Sequence, residues 1–229
     1  MKPVDRSTER AEMVEHQIKQ RGVRDPLVLA AMCCVPREAF VDEASQQLAY
    51  EDTPLPIAAE QTISQPYIVA FMLEALGLKG GEKVLEIGGG SGYATAVLAE
   101  FAGEVYMVER IAELAQQARQ ILQAMHYHHV HILQGDGTLG WAAHAPYEAI
   151  VVAAGGPRVP AALKAQLQVG GRLVIPVGRS HATQELVRVR RVSESQFTRE
   201  KLADVRFVPL IGRAGWRDYE QAAAAGGPR

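Results

Sequence analysis

The chain has 229 residues, 48% of them hydrophobic and 22% charged, which suits one full α/β domain with additions. A formal net charge of -2 gives no electrostatic case for nucleic acid or an anionic membrane as the main partner. No apolar run approaches the ~20 residues of a membrane span, and the polar first residues lack a secretory h-region, so a cytoplasmic protein is expected.

Ser7 or Thr8 can cap a first helix with Ala11, Val14 and Ile18 at helical spacing, ending near Gly22. Asp25-Pro26 starts a second helix, with aspartate at the cap and proline at the first helical position. Cys33 and Cys34 are adjacent, which rules out a C-x-x-C redox or zinc pattern; they read as two small residues on that helix. Residues 50–65 show neither helical nor strand period, and Pro54 and Pro56 enforce extended backbone. A structureless segment of this length inside a compact domain is usually functional. Pro66 then opens a helix with Val69, Met72, Leu73 and Leu76 on one side, closing at Gly77. From the residues alone, Ser64 either caps this helix or serves a site.

From Lys79 onward strands and helices alternate. Strands are expected at 83–87, 104–109, 129–133, 148–152 and 172–177, and helices at 92–102, 111–125 and 160–167, with a turn at Val169-Gly170-Gly171. That alternation predicts a Rossmann-like, doubly wound, mostly parallel sheet. Segments 184–192 and 205–209 lack an intervening helix and are expected to pair antiparallel at one edge. The expected division is 1–77 as N-terminal helices and covering loop, 78–216 as the core, and 217–229 as a frayed Ala/Gly-rich tail.

Ligands of open α/β sheets sit beyond the carboxyl ends of the strands. Four ends carry distinctive residues: Gly88-Gly89-Gly90-Ser91-Gly92, Glu109, Gly135-Asp136-Gly137 and Ala154-Gly155-Gly156-Pro157. Glu109 lies where an acid can accept hydrogen bonds from a ribose diol, and Asp136 suits an exocyclic amine such as that of adenine. Both NAD and S-adenosylmethionine fit that description. Tyr93, standing where the dinucleotide fingerprint needs its third glycine, argues against NAD.

The run Glu86-x-Gly88-x-Gly90-x-Gly92 resembles the cofactor loop of class I S-adenosylmethionine-dependent methyltransferases. The flanks are more specific. Val35-Pro36-Arg37-Glu38-Ala39-Phe40-Val41, residues 52–57, Gln61-Thr62-Ile63-Ser64-Gln65-Pro66, Gly135-Asp136-Gly137, residues 145–150, residues 170–178 and Phe207-Val208-Pro209-Leu210 together resemble the protein-L-isoaspartate (D-aspartate) O-methyltransferases. The resemblance runs from about Thr8 to Trp216, in order. It implies methyl transfer from S-adenosylmethionine to the α-carboxylate of isoaspartyl residues in damaged proteins, leaving S-adenosylhomocysteine. It also implies Ser64 as the carboxylate-orienting catalytic residue. Gln61, Thr62, Ile63 and Ser64, with Glu86, Gly88, Gly89 and Gly90, would contact the cofactor. Glu109-Arg110 and Asp136-Gly137 would hold its ribose and adenine. The resemblance leaves the order of the last strands open.

Two departures stand out. The family usually has glycines before Q-T-I-S, where this chain has Ala58, Ala59 and Glu60; and its usual G-T-G-S-G loop has lost its threonine to Gly89. Glu60 adds bulk and charge beside the expected entrance, leaving open a methyltransferase with another acceptor, or a cofactor-binding protein without turnover. His126, His128, His129 and His131 straddle a helix end and a strand start, a solvated connection in a reaction that needs no metal.

Overall fold

A computed structural model describes residues 5–179 and 183–217, so most of the tail expected at 217–229 lies outside the described residues. The first helix, α1 (Ser7–Glu12), continues through a π-helical turn (Met13–Ile18) and a 3-10 turn to Gly22. Its cap differs from expectation: Arg6 occupies the N-cap position, and the Ser7 N–H donates to Asp5 Oδ1 at 2.9 Å. Helix α2 (Pro26–Cys34) has the expected start, with Asp25 Oδ1 accepting from the N–H groups of Leu27 and Val28. Residues 50–65 hold a small antiparallel hairpin, β1 (Leu55–Pro56) against β2 (Thr62–Ile63). Helix α3 (Pro66–Leu76) follows and buries Val69, Met72, Leu73 and Leu76.

The core then alternates as β3 (Lys83–Ile87), α4 (Tyr93–Ala99), β4 (Glu104–Glu109), α5 (Ala112–Ala124), β5 (Val130–Gln134), β6 (Tyr147–Val152), α6 (Ala161–Ala165) and β7 (Leu167–Val177). Strands β8 (Gln184–Arg191) and β9 (Phe197–Val205) complete a sheet of order β5-β4-β3-β6-β7-β8-β9. The first five are parallel and the last two antiparallel, laid down one after the other along the edge. Successive residues of β3 serve opposite faces. Val84 packs with the N-terminal helices, α3 and α4, whereas Leu85 and Ile87 pack with Leu163 of α6 and Tyr147.

Two expectations are corrected here. Val169-Gly170-Gly171 is not a turn before a strand: β7 begins at Leu167, and the residues form an irregularity where the register on β6 shifts between Tyr147 and Ala149. The edge partner of β8 is 197–205 rather than 205–209. After β9 the chain leaves the sheet and crosses back over the strand ends, with Gly155 N–H donating to Val208 O and Leu210 N–H to Gly155 O, both at 2.8 Å. Pro209, without an N–H, suits this crossing better than a sheet ladder.

Candidate active site

Strand β3 pairs in parallel with β4 on one side and β6 on the other, so the order in which strands are added to the sheet reverses there. The crevice opened by that reversal is the general ligand position in such sheets. It holds a cleft open to solvent. The floor is Glu86 to Ser91; one wall is Gln61 to Ser64 of the hairpin, and the facing wall is the returning segment Phe207 to Ile211. Glu109, Arg110 and Ile111 line one end, and Gly137 closes it.

The glycine loop turns immediately after β3. Gly90 adopts φ +54°, and its N–H donates to Glu109 Oε2 at 2.9 Å. The other oxygen of Glu109 accepts from Ile111 N–H at 2.8 Å. Glu109 thus ties the loop to the start of α5 and keeps lone pairs available for a diol. Glu86 lies fully buried beneath the loop, its carboxylate accepting from the Thr95 hydroxyl of α4. Burial pushes its pKa up to about 7, against the lowering effect of that hydrogen bond, and the charge of Glu109 adds to the rise. Two acids under one loop favour a cationic ligand over a pyrophosphate.

The position that departs from the dinucleotide fingerprint has its own explanation. Tyr93 is 1% exposed, packs edge-on to Phe40 with centroids 5.6 Å apart, and has the Arg37 guanidinium 5.0 Å from its ring centre. It joins the N-terminal region to the cofactor-loop helix while also lining the cleft.

Ser64 is part of the cleft wall, and the helix-capping alternative is not what forms. The N-cap of α3 is Gln65, without a side-chain cap, and the Ser64 hydroxyl makes no hydrogen bond among the described residues. Gln61, Thr62 and Ile63 line the same wall, as do Gly88, Gly89 and Gly90 on the floor.

Asp136 is placed differently from the expectation. It does not line the cleft; its Oδ1 accepts from Thr138 N–H at 2.9 Å and Thr138 Oγ1 at 2.6 Å, and its Oδ2 from Arg213 N–H at 2.8 Å. The carboxylate is drawn off by a local turn and by the chain returning behind it, leaving Gly137 to face the cleft. Of the histidines, the His126 and His128 rings lie 5.9 Å apart, while His129 Nε2 meets Ala99 O at 2.9 Å and His131 Nε2 meets Glu104 Oε2 at 2.6 Å. Residues absent from the sequence reading of the site are Ala153, the first turns of α3 and the segment to Ile211, whereas Ala154, at a strand end named above, does line the cleft. Pro209 inside an otherwise strand-like run was the available signal for the last.

A family model described as protein-L-isoaspartate(D-aspartate) O-methyltransferase matches residues 8–215. The chain belongs to that family. A protein-L-isoaspartate O-methyltransferase of Rhodopseudomonas palustris is 63% identical over 210 residues, covering 92% of this chain and 96% of the relative. Another, from Pelobacter propionicus, is 60% identical over 204 residues, covering 89% and 91%. Among solved structures, a protein-L-isoaspartate O-methyltransferase superposes with TM-score 0.81 at 29% identity, covering 90% of this chain and 67% of that one. A Plasmodium falciparum relative in complex with S-adenosyl-L-homocysteine gives 0.76 at 25% identity, covering 88% and 98%.

In this methyltransferase family the cofactor is S-adenosylmethionine, and the cleft fits it. Gly88, Gly89 and Gly90 present backbone with no β-carbon, the nearby acids are opposite in charge to a sulfonium or an ammonium, and Glu109 has lone pairs that could take a ribose diol. No helix among the described residues is long and apolar enough to cross a membrane.

Proposed function

We propose that this protein methylates the α-carboxylate of L-isoaspartyl and D-aspartyl residues in damaged proteins and peptides, starting their repair. The observation that carries the reading is the placement of Ser64: a residue lining the same cleft as the glycine loop, with a hydroxyl that makes no hydrogen bond among the described residues. S-adenosylmethionine supplies an activated methyl on a positively charged sulfur, which leaves as a neutral thioether when a carboxylate oxygen bonds to that methyl. A substrate carboxylate is already ionised at neutral pH, with a pKa near ~3.5, so the chain need not remove a proton. Its task is to hold oxygen, methyl and sulfur in line. The Ser64 hydroxyl would donate to one carboxylate oxygen and turn the other toward the methyl.

For the cofactor we assign Glu109 to the ribose, Gly137 and Arg110 to the adenosine end, and Gly88, Gly89 and Gly90 to the amino-acid end with Glu86 beneath them. Gln61, Thr62 and Ile63 close over it. Asp136 acts from behind Gly137. The methyl ester formed on an isoaspartyl site closes to a succinimide without further help, and hydrolysis returns part of it to aspartate.

Incubation with labelled S-adenosylmethionine, an isoaspartyl peptide and its normal aspartyl twin tests the reading. Label on the isoaspartyl peptide alone is expected. Label on neither, with cofactor still bound, would favour a binding protein; label on a different acceptor would favour another methyltransferase.

A further inference from the structure

We propose that Gln65 and Asp52 form a clamp that positions Ser64 for the reaction, an inference that rests on the role given to Ser64 above. Gln65 occupies the one position of T-I-S-x-P that the motif leaves free, and neither residue lines the cleft.

Ser64 sits between two anchors. On its amino side, Thr62 and Ile63 pair with Pro56 and Leu55. On its carboxyl side Pro66 has no N–H to give, and the Gln65 side chain turns away from the helix it precedes. Its Nε2 donates at 2.8 Å to the backbone oxygen of Asp52 and at 2.8 Å to Asp52 Oδ2. Asp52 Oδ1 meanwhile accepts from Tyr67 N–H at 3.3 Å. A carboxylate thirteen residues upstream therefore takes the place of the missing cap on α3, where a negative charge also suits the helix dipole.

The clamp is braced from the N-terminal helices. Arg21 pairs with Asp52 Oδ2, and its guanidinium lies 3.6 Å from the centre of the Tyr67 ring. On the buried side the Arg37 Nε donates to Ala49 O at 2.8 Å, and its other two nitrogens have no hydrogen-bond partner among the described residues. Asp52 is thus held by Arg21 and by the Tyr67 N–H, and Gln65 passes that fixed point to the chain next to Ser64.

The argument for function lies in what Ser64 lacks. Its hydroxyl makes no hydrogen bond among the described residues, so its place is set by the backbone on either side. Displacing a reacting group by about an ångström can lower a rate about a hundredfold. Releasing Gln65 frees the carboxyl side of Ser64 while leaving the hairpin pairing and the glycine loop intact.

The test is a double-mutant cycle in the full chain: wild type, Gln65→Leu, Ser64→Ala and the pair, with kcat and KM measured on an isoaspartyl peptide and S-adenosylhomocysteine affinity by calorimetry. Gln65→Leu is expected to lower kcat by about ten- to a hundredfold, more than it weakens S-adenosylhomocysteine, and to cost less than about threefold once Ser64 is alanine. Losses that multiply, or full rate in Gln65→Leu, would overturn the clamp and leave Ser64 in place. Full rate in Ser64→Ala would instead remove Ser64 from the mechanism, and the clamp with it. Should the leucine variant fail to fold, Gln65→Asn, whose amide is one methylene short of Asp52, replaces it in the same cycle.

Discussion

Met107 occupies the space beside Gly89. A β-carbon built on Gly89 would lie 2.5 Å from Met107 Cγ and 2.7 Å from its Sδ, closer still to Cε, and Met107 is fully buried in the middle of β4. The threonine that the family usually carries in this loop would therefore compete with Met107 for the same space. Restoring it alone is an overpacking change. Gly89→Thr is expected to lower stability by about 1–3 kcal/mol, and Gly89→Thr with Met107→Val to recover most of that loss. Thermal unfolding of the two variants checks it.

With Glu86 assigned to the amino-acid end of the cofactor, its protonation would act on stability and on cofactor binding with opposite signs. Its folded-state pKa, about 7, stands above the ordinary carboxylate value of 4.5. The folded chain holds the proton more tightly, so the stabilising contribution is full below the ordinary pKa and is lost as pH rises through about 7. Glu86→Gln is expected to raise the melting temperature at about pH 8.5 and to lose that advantage toward pH ~4.5. Binding of S-adenosylmethionine, which favours the ionised acid, should weaken in the wild type as pH falls through about 7, and the glutamine variant should bind weakly without that dependence. Calorimetric titrations across this range separate the two effects.

The turn that joins β1 to β2 places Ala59 and Glu60 both at φ +56°, in the left-handed region that side chains disfavour. Backbone hydrogen bonds hold it there: Ile57 N–H to Gln61 O at 2.9 Å and Gln61 N–H to Ala58 O at 3.3 Å. Ala59→Gly and Glu60→Gly are each expected to stabilise the chain by up to about 1 kcal/mol, the relief of strain exceeding the entropy that glycine adds to the unfolded state. Denaturant midpoints with an unchanged slope would check this; a loss of stability in both variants would contradict it.

Asp136 and Thr138 act together as a latch for the returning chain. Beside the Arg213 bond to Asp136, Ala214 N–H donates to Thr138 Oγ1 at 3.0 Å, and Trp216 Nε1 donates to Gly155 O at 2.9 Å. In Asp136→Asn the amide nitrogen can no longer accept from Arg213. Hydrogen exchange at the Arg213 and Ala214 amides is expected to quicken while the amides of β3 and β4 keep their protection. Unchanged exchange at 213 and 214 would show that the latch is not held there.

The sheet was legible because its strands are short apolar runs closed by glycine or acid, and because each crossover carries its own helix. The edge was not. The sequence of β9 is FTREKLADV, polar and largely exposed, with pairing to β8 supplying what its side chains do not. The hairpin at 55–63 was hidden for a related reason: its strands are two residues long and its turn has no glycine to announce it. The glycine loop, Glu109 and the T-I-S stretch could be read in advance because each is contiguous. The engagement of Asp136 could not, since its partner Arg213 lies 77 residues further along and is joined through a backbone N–H that any residue type would offer.

The segment from Phe207 to Ile211 also sets an order of manufacture. The glycine loop, its acids and the T-I-S wall all leave the ribosome well before the facing wall, which needs β8 and β9 to turn the chain back. A nascent chain can therefore assemble most of its parallel sheet while its cofactor cleft is still open on one side.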